Sequence, residues 1–261
     1  IEWNAQLRSI ALKLDQERQS LTPHQMLVKA QENSRSQGDY TVDSTLKTTI
    51  YFPEEILSSL EITGQERVRQ APYTAYLTQD VRDHLTGQLS RREYLVTQKQ
   101  LFSKEGEGPW IASSLGINSL LNAREQIAGI SFLEGNDLSE KNPVYSFADD
   151  RLYNNRDCHV INLYYSPAFY EDNLREFLPL FDNATDEGDL QRLFEGLSIQ
   201  SFQTIYIEKT SLKHLATEIF EEVSLHVPEQ EEAYARFHTL GKLLYKDQAF
   251  ALPAGIPSLN Y

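Results

Sequence analysis

Residues 199–253, near the end of the chain, constrain the fold more than any other stretch. Apolar and polar side chains alternate along residues 199–208, 212–227 and 234–245, and a short polar break at 209–211 separates the first two runs. Alternation with a period of two is typical of a half-buried β-strand, and a polar break between two such runs is typical of a hairpin. Because a strand usually has about five or six residues, runs of this length indicate one large antiparallel sheet.

The remaining segments divide between strands and helices. Alternation predicts further strands at residues 40–52, 56–68, 73–77 and 92–102 and around Cys158. Apolar residues spaced by three and four positions predict helices at residues 3–19, 23–36, 115–130 and 168–181. Thr22 is expected to cap the second of these helices, with Pro23 in its first turn. The sequence therefore predicts an α+β fold, in which a long, curved, mostly antiparallel sheet has helices laid on its concave face.

Three local features carry predictions of their own. Residues 92–102 are expected to form one strand, because their aromatic and aliphatic side chains alternate. Gly64 is expected to mark a β-bulge, since a glycine inside a strand often does. Residues 136–155 are rich in Asn, Asp, Gly and Pro, and this composition predicts a flexible loop.

Length and composition favour one folded domain. The chain has 261 residues, of which 40% are hydrophobic, and no apolar run is long enough to cross a membrane. The domain is predicted to span residues 21–257 with a helical insert at about 113–198, while residues 1–20 form an N-terminal helix or a stalk. Because the chain begins with Ile1 rather than Met, we expect that a signal peptide or a lipid-anchor segment has been removed.

Charge and cysteine content narrow the function classes. The chain has 24 Lys and Arg residues against 38 Asp and Glu, which gives a formal net charge of −14. This acidity argues against nucleic acid and against anionic membrane surfaces as partners, and it suits solubility or a basic protein partner. The single cysteine, Cys158, excludes an internal disulfide and a thiolate metal cluster. Within an alternating strand it is predicted to be a small buried hydrophobe.

Patterns for catalysis and metal binding are missing from the sequence. The six histidines include no pair at metal-ligand spacing on one helix face, and the Gly-x-Ser-x-Gly, P-loop and Gly-x-Gly-x-x-Gly motifs are absent. Residues 182–189 have the composition of a calcium loop, but Ala184 stands where a carboxylate is needed and Glu187 where a glycine is needed. We therefore predict no catalytic residue, no metal and no cofactor, and a hydrolase is the least favoured function.

The order of four segments carries a resemblance to a known family. A helix at residues 21–30 is followed at once by the long strand at 40–49, and a hairpin turn at 204–212 precedes a closing segment, 250–256, that contains Leu-Pro. This arrangement resembles the LolA/LppX-like lipoprotein superfamily. In its Firmicute surface-lipoprotein members, a helix and a strand open the domain, a Tyr/Trp-Ile-Asp-Lys-Glu-Thr turn follows, and the closing strand ends in Leu-Pro. Here the turn reads Tyr-Ile-Glu-Lys-Thr, at residues 206–210.

The resemblance implies an unclosed β half-barrel whose concave face is covered by helices. Members of the superfamily hold acyl chains or lipidated proteins between sheet and helices, or bind protein partners there. The expected function is that of a non-enzymatic, extracytoplasmic bacterial lipoprotein, anchored at the cell membrane or secreted, that binds a hydrophobic (lipid or acyl) ligand. The alternative is a protein-interaction module on the same fold: a sensor, an assembly factor or an immunity protein with a basic partner.

The residues expected to contact the ligand are the apolar side chains of the alternating strands that would converge on the concave face. Tightly packed helices would make this face a solid core, whereas helices that stand off would leave a lipid-sized cavity. The predicted ligand-binding residues are Val42, Leu46, Ile50, Val96, Ile161, Leu163, Ile205, Ile207, Ile219 and Val223.

Overall fold

The structure is a computed structural model that describes most of the sheet-forming part of the chain. It describes residues 20–36, 38–52, 55–69, 71–97, 100–113, 143–165, 196–226, 233–253 and 255–256. The helices predicted at residues 3–19, 115–130 and 168–181 lie outside the described residues. The covering of the sheet by several helices therefore stays a prediction.

One helix and eleven strands make up the described part of the chain. The helix is α1 (Pro23–Ser36). The strands are β1 (Tyr40–Phe52), β2 (Glu55–Arg69), β3 (Thr74–Asp83), β4 (Leu89–Thr97), β5 (Leu101–Glu105), β6 (Ile111–Ser113), β7 (Pro143–Tyr153), β8 (Arg156–Tyr165), β9 (Leu197–Glu208), β10 (His214–His226) and β11 (Ala233–Asp247). Strands β7 and β8 fall within the stretch predicted as a helical insert.

All eleven strands belong to one unclosed antiparallel sheet. Their order is β6-β5-β4-β3-β2-β1-β11-β10-β9-β8-β7, so β6 and β7 are the two edges. The N-terminal half winds from β1 to one edge and the C-terminal half from β11 to the other, and β1 joins the halves by pairing with β11. Within the described residues, α1 is too short and too polar to cross a membrane.

Helix α1 begins with the cap that its sequence predicts. Thr22 Oγ1 accepts a hydrogen bond of 3.2 Å from the backbone N–H of Gln25, and Gln25 Oε1 accepts one of 2.9 Å from the backbone N–H of Thr22. This reciprocal pair is a capping box, and Pro23 occupies the first helical position, where its missing N–H costs nothing. At the other end, Asn33 Nδ2 donates to the carbonyl oxygen of Leu212 at 3.2 Å. The helix is thus tied to the turn between β9 and β10.

The sheet has two faces with different covers. The face on which α1 packs, called the helix face below, presents Ile161, Leu163, Ile205 and Ile207 to the helix. The opposite face, called the tail face, packs against Leu252 and Ile256 of the C-terminal segment. Side chains that follow one another along a strand alternate between the two faces.

The tail face holds the single cysteine. Cys158 is fully buried in a cluster with Val160, Tyr206 and Ala216, and burial raises the pKa of its thiol. The prediction of a small buried hydrophobe is confirmed. Nearby, Lys209 in the β9–β10 turn bridges two strands, because its Nζ contacts Asp150 on β7 at 2.7 Å and Asp157 on β8 at 3.0 Å.

The prediction of a single strand at residues 92–102 is wrong. The chain reverses between β4 and β5, where the N–H of Thr97 donates to the carbonyl of Gln100 at 2.9 Å. The N–H of Gln100 in turn donates to Thr97 Oγ1 at 3.1 Å. A threonine side chain can stabilise a turn in this way without Gly or Pro, and so the alternation runs through the reversal unbroken.

The prediction of a flexible loop at residues 136–155 is wrong for Pro143–Tyr153, which form edge strand β7; residues 136–142 lie outside the described residues. Backbone pairing with β8 holds β7 in place, although several of its large side chains, such as Leu152, are exposed. Asn154 and Asn155 have φ values of 48° and 62°. Asparagine tolerates this left-handed region, which a two-residue hairpin turn requires. The polar composition thus belongs to an edge strand and its turn.

Gly64 is not at a bulge, contrary to the prediction. It pairs in regular register with Ser44, and the irregularity between β1 and β2 lies at Ile50 and Tyr51. The glycine is needed because its neighbours approach closely. A Cβ added to Gly64 would stand 2.6 Å from Ser44 Oγ and 3.2 Å from the carbonyl oxygen of Thr78.

We expect Gly64→Ala to lower the free energy of unfolding by about 2 kcal/mol, because the added methyl group overpacks a strand interior. Urea denaturation of the two proteins measures the difference. The double variant Ser44→Gly/Gly64→Ala removes the nearest atom and should recover part of the loss. Equal stability of the Gly64→Ala variant and the wild type would contradict the close approach.

Candidate ligand-binding face

The ten predicted ligand-binding residues all lie on the helix face. The register of neighbouring strands establishes this placement: Ile161 pairs with Ile205, Ile205 with Thr217, and Thr217 with Leu243. The same row continues to Ser44 on β1, two residues from Val42 and Leu46. The side chains therefore share one surface that runs across eight strands, from β8 to β4. Their role as ligand contacts stays a prediction.

Helix α1 closes one part of this face. Ile161, Leu163, Ile205 and Ile207 have no exposed surface, and they pack with Met26, Leu27, Ala30 and Leu212 in one core cluster. The sequence could not decide between a core and a cavity, and in this part the face is a packed core. Burying a leucine or isoleucine side chain contributes about 2 kcal/mol, so this cluster holds the helix on the sheet.

A second core cluster closes the part of the face between β1 and β5. Val42 and Val96 are 2% and 7% exposed. They belong to a cluster that also contains Tyr40, Val68, Ala75, Leu101 and Leu243.

The remaining part of the helix face, called the open wall below, is half-buried. It carries Leu46, Ile50, Ile219 and Val223. Gly241 lies between Leu46 and Ile219, and a Cβ on it would stand 3.0 Å from Leu46 Cδ1 and 3.2 Å from Ile219 Cβ. The missing side chain lets these two residues approach each other from neighbouring strands. An apolar wall that is partly open suits contact with an acyl chain.

Two further residues of the helix face were not among the residues predicted from the sequence. Phe237 pairs with Val223 and with Ile50 and is 38% exposed, so it extends the open wall; its alternation within β11 was the available signal. Gln203 is 4% exposed and lies in register between Leu163 and Ile219. Nothing in the sequence could have identified Gln203 as buried, because its burial depends on which strands lie beside β9.

Three buried polar atoms on this side of the sheet have no hydrogen-bond partner. They are Gln203 Oε1, Tyr145 Oη and His24 Nε2. Tyr145 pairs with Leu163, and its ring centroid lies 5.1 Å from that of His24, in the first turn of α1. Burial raises the pKa of Tyr145 to about 12, so its hydroxyl remains protonated at neutral pH.

A cavity of about 370 Å³ opens at the other end of α1. Strands β10 and β11 pair from Ala216 and Leu244 onward, and beyond this pair they separate around the cavity. Lys213 Nζ contacts Asp247 Oδ2 at 2.5 Å on its rim. The lining residues are Ser34, Tyr40, Tyr153, Asn154, Arg156, Lys213, His214, Leu215, Leu244, Tyr245, Lys246 and Asp247.

His214 is buried in the wall of this cavity. Its ring stacks on Tyr245 at a centroid distance of 4.1 Å, and its Nε2 lies 2.7 Å from Thr217 Oγ1 and 3.2 Å from the carbonyl oxygen of Ala216. Because a carbonyl only accepts, Nε2 carries the proton. Burial lowers the pKa of His214 to about 4, so the imidazole is neutral at pH 7.

The chemical groups around the helix face are few in the described part of the chain. Within the described residues, no group of three or more His, Cys, Asp or Glu side chains is placed to hold a metal ion. The Cys158 thiol is buried with a raised pKa, which disfavours the reactive thiolate. The open wall is apolar and offers contact area rather than an acid, a base or a nucleophile.

Comparison with known proteins gives structural matches at low sequence identity. Neither a known protein family nor a curated protein matches the sequence. The lipoprotein LppX of Mycobacterium tuberculosis is 12% identical, with 84% of this chain and 93% of that chain aligned and a TM-score of 0.37. LprF of Mycobacterium bovis is 11% identical, with 90% and 95% aligned and a TM-score of 0.39.

A third match is a domain from Vibrio parahaemolyticus described as an outer membrane lipoprotein-sorting protein. It is 12% identical, with 88% of this chain and 93% of that chain aligned and a TM-score of 0.28. LppX and the lipoprotein-sorting domain are proteins of the kind that the sequence resembles. Since the TM-scores are below 0.5, the function proposed below rests on the residues of this chain.

Proposed function

We propose that this protein is a non-enzymatic, extracytoplasmic bacterial lipid-binding protein that holds a hydrophobic ligand against the helix face of its sheet. The observation that carries the proposal is the open wall, where Leu46, Ile50, Ile219 and Val223 remain half-buried beside the closed clusters of the same face. Apolar surface of this kind is stabilised when an acyl chain removes it from water.

The open wall is the part of the predicted site that a ligand contacts directly. The fully buried members, such as Leu163 and Ile207, support it by holding α1 and the neighbouring strands in place. The helices predicted at residues 115–130 and 168–181 would complete the cover over an acyl chain. This division assigns direct contact to four of the ten predicted residues and adds Phe237 to them.

Native mass spectrometry of the full chain, before and after organic extraction, tests the proposal. We expect an adduct with the mass of a lipid that disappears on extraction and returns when the extracted protein is incubated with bacterial membrane lipids. A mass equal to that of the chain alone, unchanged after incubation with these lipids, would contradict the proposed function.

Leu46→Asp should weaken lipid binding about tenfold or more, because a carboxylate in the open wall would lose its water when an acyl chain covers it. Leu46 is half-buried, so the variant is expected to fold. Thr45→Asp is the matched control, since Thr45 is exposed on the tail face of the same strand. Fluorescence titration with a fatty-acyl probe measures both. Equal affinities in the two variants would remove Leu46 from the site.

A protein-interaction module is the second candidate, and one observation favours it. Five large apolar side chains follow one another across the tail face: Val144 pairs with Tyr164, Tyr164 with Phe202, Phe202 with Phe220, and Phe220 with Leu240. Four of them are 38–60% exposed. Contiguous exposed apolar surface often marks a protein interface, and the net charge of −14 suits a basic partner. A lipid-free mass in the experiment above would favour this function.

A further inference from the structure

Gln203 is buried where an apolar residue would fit better. Its strand neighbours on the helix face are Leu163 and Ile219, and the core cluster beside it consists of apolar side chains. The side chain is 4% exposed, and its Oε1 has no hydrogen-bond partner. An unpaired buried amide oxygen lowers the stability of the folded protein. A ligand that donates a hydrogen bond to this oxygen would remove the cost.

Two more unpaired atoms lie on the same side of the sheet. Tyr145 stands in the same row of the helix face as Gln203, with Leu163 between them, so their strands are about 10 Å apart. His24 places its ring 5.1 Å from that of Tyr145, and its Nε2 is also unpaired. A head group that contacted both Gln203 and Tyr145 would lie across Leu163, beside the core cluster that α1 closes.

The three atoms select the chemistry of the head group. Gln203 Oε1 accepts a hydrogen bond, so the ligand must offer an O–H or N–H group. Tyr145 remains protonated, because burial raises its pKa to about 12, and therefore it donates to a ligand oxygen. The adjoining core cluster contains only apolar side chains, and burying a carboxylate or phosphate beside it costs more than burying an uncharged group. An uncharged head group that both donates and accepts fits these conditions.

We propose that Gln203, Tyr145 and His24 form a polar head-group site at the end of the open wall, and that it binds the hydroxyl-bearing head of an uncharged acylglycerol. This inference rests on the proposed function, because the acyl chain would lie along the open wall. Ile219 links the head-group site to the open wall, because it pairs with Gln203 and is itself part of that wall. The glycerol hydroxyl donates to Gln203 Oε1, and the Tyr145 hydroxyl donates to an oxygen of the glycerol.

The test compares three lipids that share one acyl chain: 1-oleoylglycerol, methyl oleate and oleate. Each is titrated into the full, delipidated chain. We expect the wild type to bind 1-oleoylglycerol about tenfold more tightly than methyl oleate, since one unmade buried hydrogen bond costs about that factor. Oleate at neutral pH is expected to bind less tightly than 1-oleoylglycerol, because a carboxylate loses more hydration on burial than an uncharged glycerol head does.

Gln203→Leu should remove the preference, so that 1-oleoylglycerol and methyl oleate bind within about threefold of each other, whereas methyl oleate binds at least as tightly as before. The ligand-free variant should also melt at a higher temperature than the wild type. Gln200→Leu is the matched control, because Gln200 is exposed on the tail face of the same strand; it should keep the full preference. Tyr145→Phe, which removes only one oxygen, provides a second variant and should reduce the preference.

The outcomes separate the two proposals. Equal binding of 1-oleoylglycerol and methyl oleate by the wild type would overturn the head-group site and leave the lipid-binding function in place. The tightest binding by oleate would overturn the choice of an uncharged head. Saturable binding of none of the three lipids would overturn both the proposed function and this inference.

Discussion

Lowering the pH from 7 to 4 is expected to remove about 3 kcal/mol of folding free energy through His214 alone. Burial lowers the pKa of this residue to about 4 in the folded protein, from the ordinary 6.5, and each unit of difference corresponds to about 1.4 kcal/mol. Above pH 6.5 the imidazole is neutral in both states, and its contribution is complete. Between pH 6.5 and 4 the unfolded chain binds a proton that the folded chain does not, so stability falls.

Urea denaturation at intervals between pH 7.5 and 4 measures this loss, and His214→Gln provides the comparison. The variant keeps a side-chain donor for Thr217 and Ala216 but cannot titrate. It is expected to be less stable at pH 7, because it loses the stacking on Tyr245, and its stability should fall less steeply with pH. Burial alone would raise the pKa of Asp43, but its contacts with Lys246 and Gln65 lower it overall. Carboxylates such as this one titrate in both proteins, so their effect on stability cancels in the difference. Parallel pH curves for the two proteins would show that His214 is not buried as described.

Acid should also affect the end of the sheet beside this cavity. Protonated His214 would face Lys213 and Lys246 in the cavity lining, with Asp247 as the nearby acid. Burial is what lowers the pKa of His214, while its hydrogen bond to the carbonyl of Ala216 acts in the opposite direction. We expect the turn between β9 and β10, which Asn33 ties to α1, to be among the first parts to loosen in acid.

The sequence predicted the faces of the strands well, for a geometric reason. Side chains alternate strictly along an extended chain, so residues such as Leu46 and Ile50 are assigned to one face without knowledge of their neighbours. The cap of α1 was equally local, because Thr22 and Pro23 are sufficient to predict it. Both kinds of prediction depend on residues a few positions apart, and the structure confirms them.

The features that the sequence did not predict depend on contacts between distant residues. Gly64 has a regular register, and only the approach of Ser44 from the next strand explains the glycine. The burial of Gln203 likewise depends on β8 and β10 lying beside it. Whether the helix face is a core or a cavity depends on where helices lie on it, and the alternation of a strand does not contain that information. Which part of the helix face is open, and that Gln203 is buried beside it, could therefore not be predicted from the sequence.

Leu27→Ala is expected to lower the free energy of unfolding by about 3 kcal/mol, within the range for leucine in a packed core. Leu27 has no exposed surface and joins α1 to Ile205 and Ile207 in one cluster. Truncation leaves a cavity between helix and sheet that the rigid strands beneath cannot fill. Chemical denaturation of the full chain, followed by circular dichroism, measures the loss.

Glu32→Ala is the matched control for this prediction, because Glu32 is on the same helix and exposed; such a surface change is expected to alter stability by less than about 0.5 kcal/mol. The pair also reports on function. If α1 closes its part of the helix face permanently, Leu27→Ala should weaken the fold without improving lipid binding. If binding requires α1 to move away from Ile205, loosening the helix should instead raise lipid affinity or speed lipid uptake. A loss of stability below about 1 kcal/mol, far under the value for a buried leucine, would contradict the packing of α1 on the sheet.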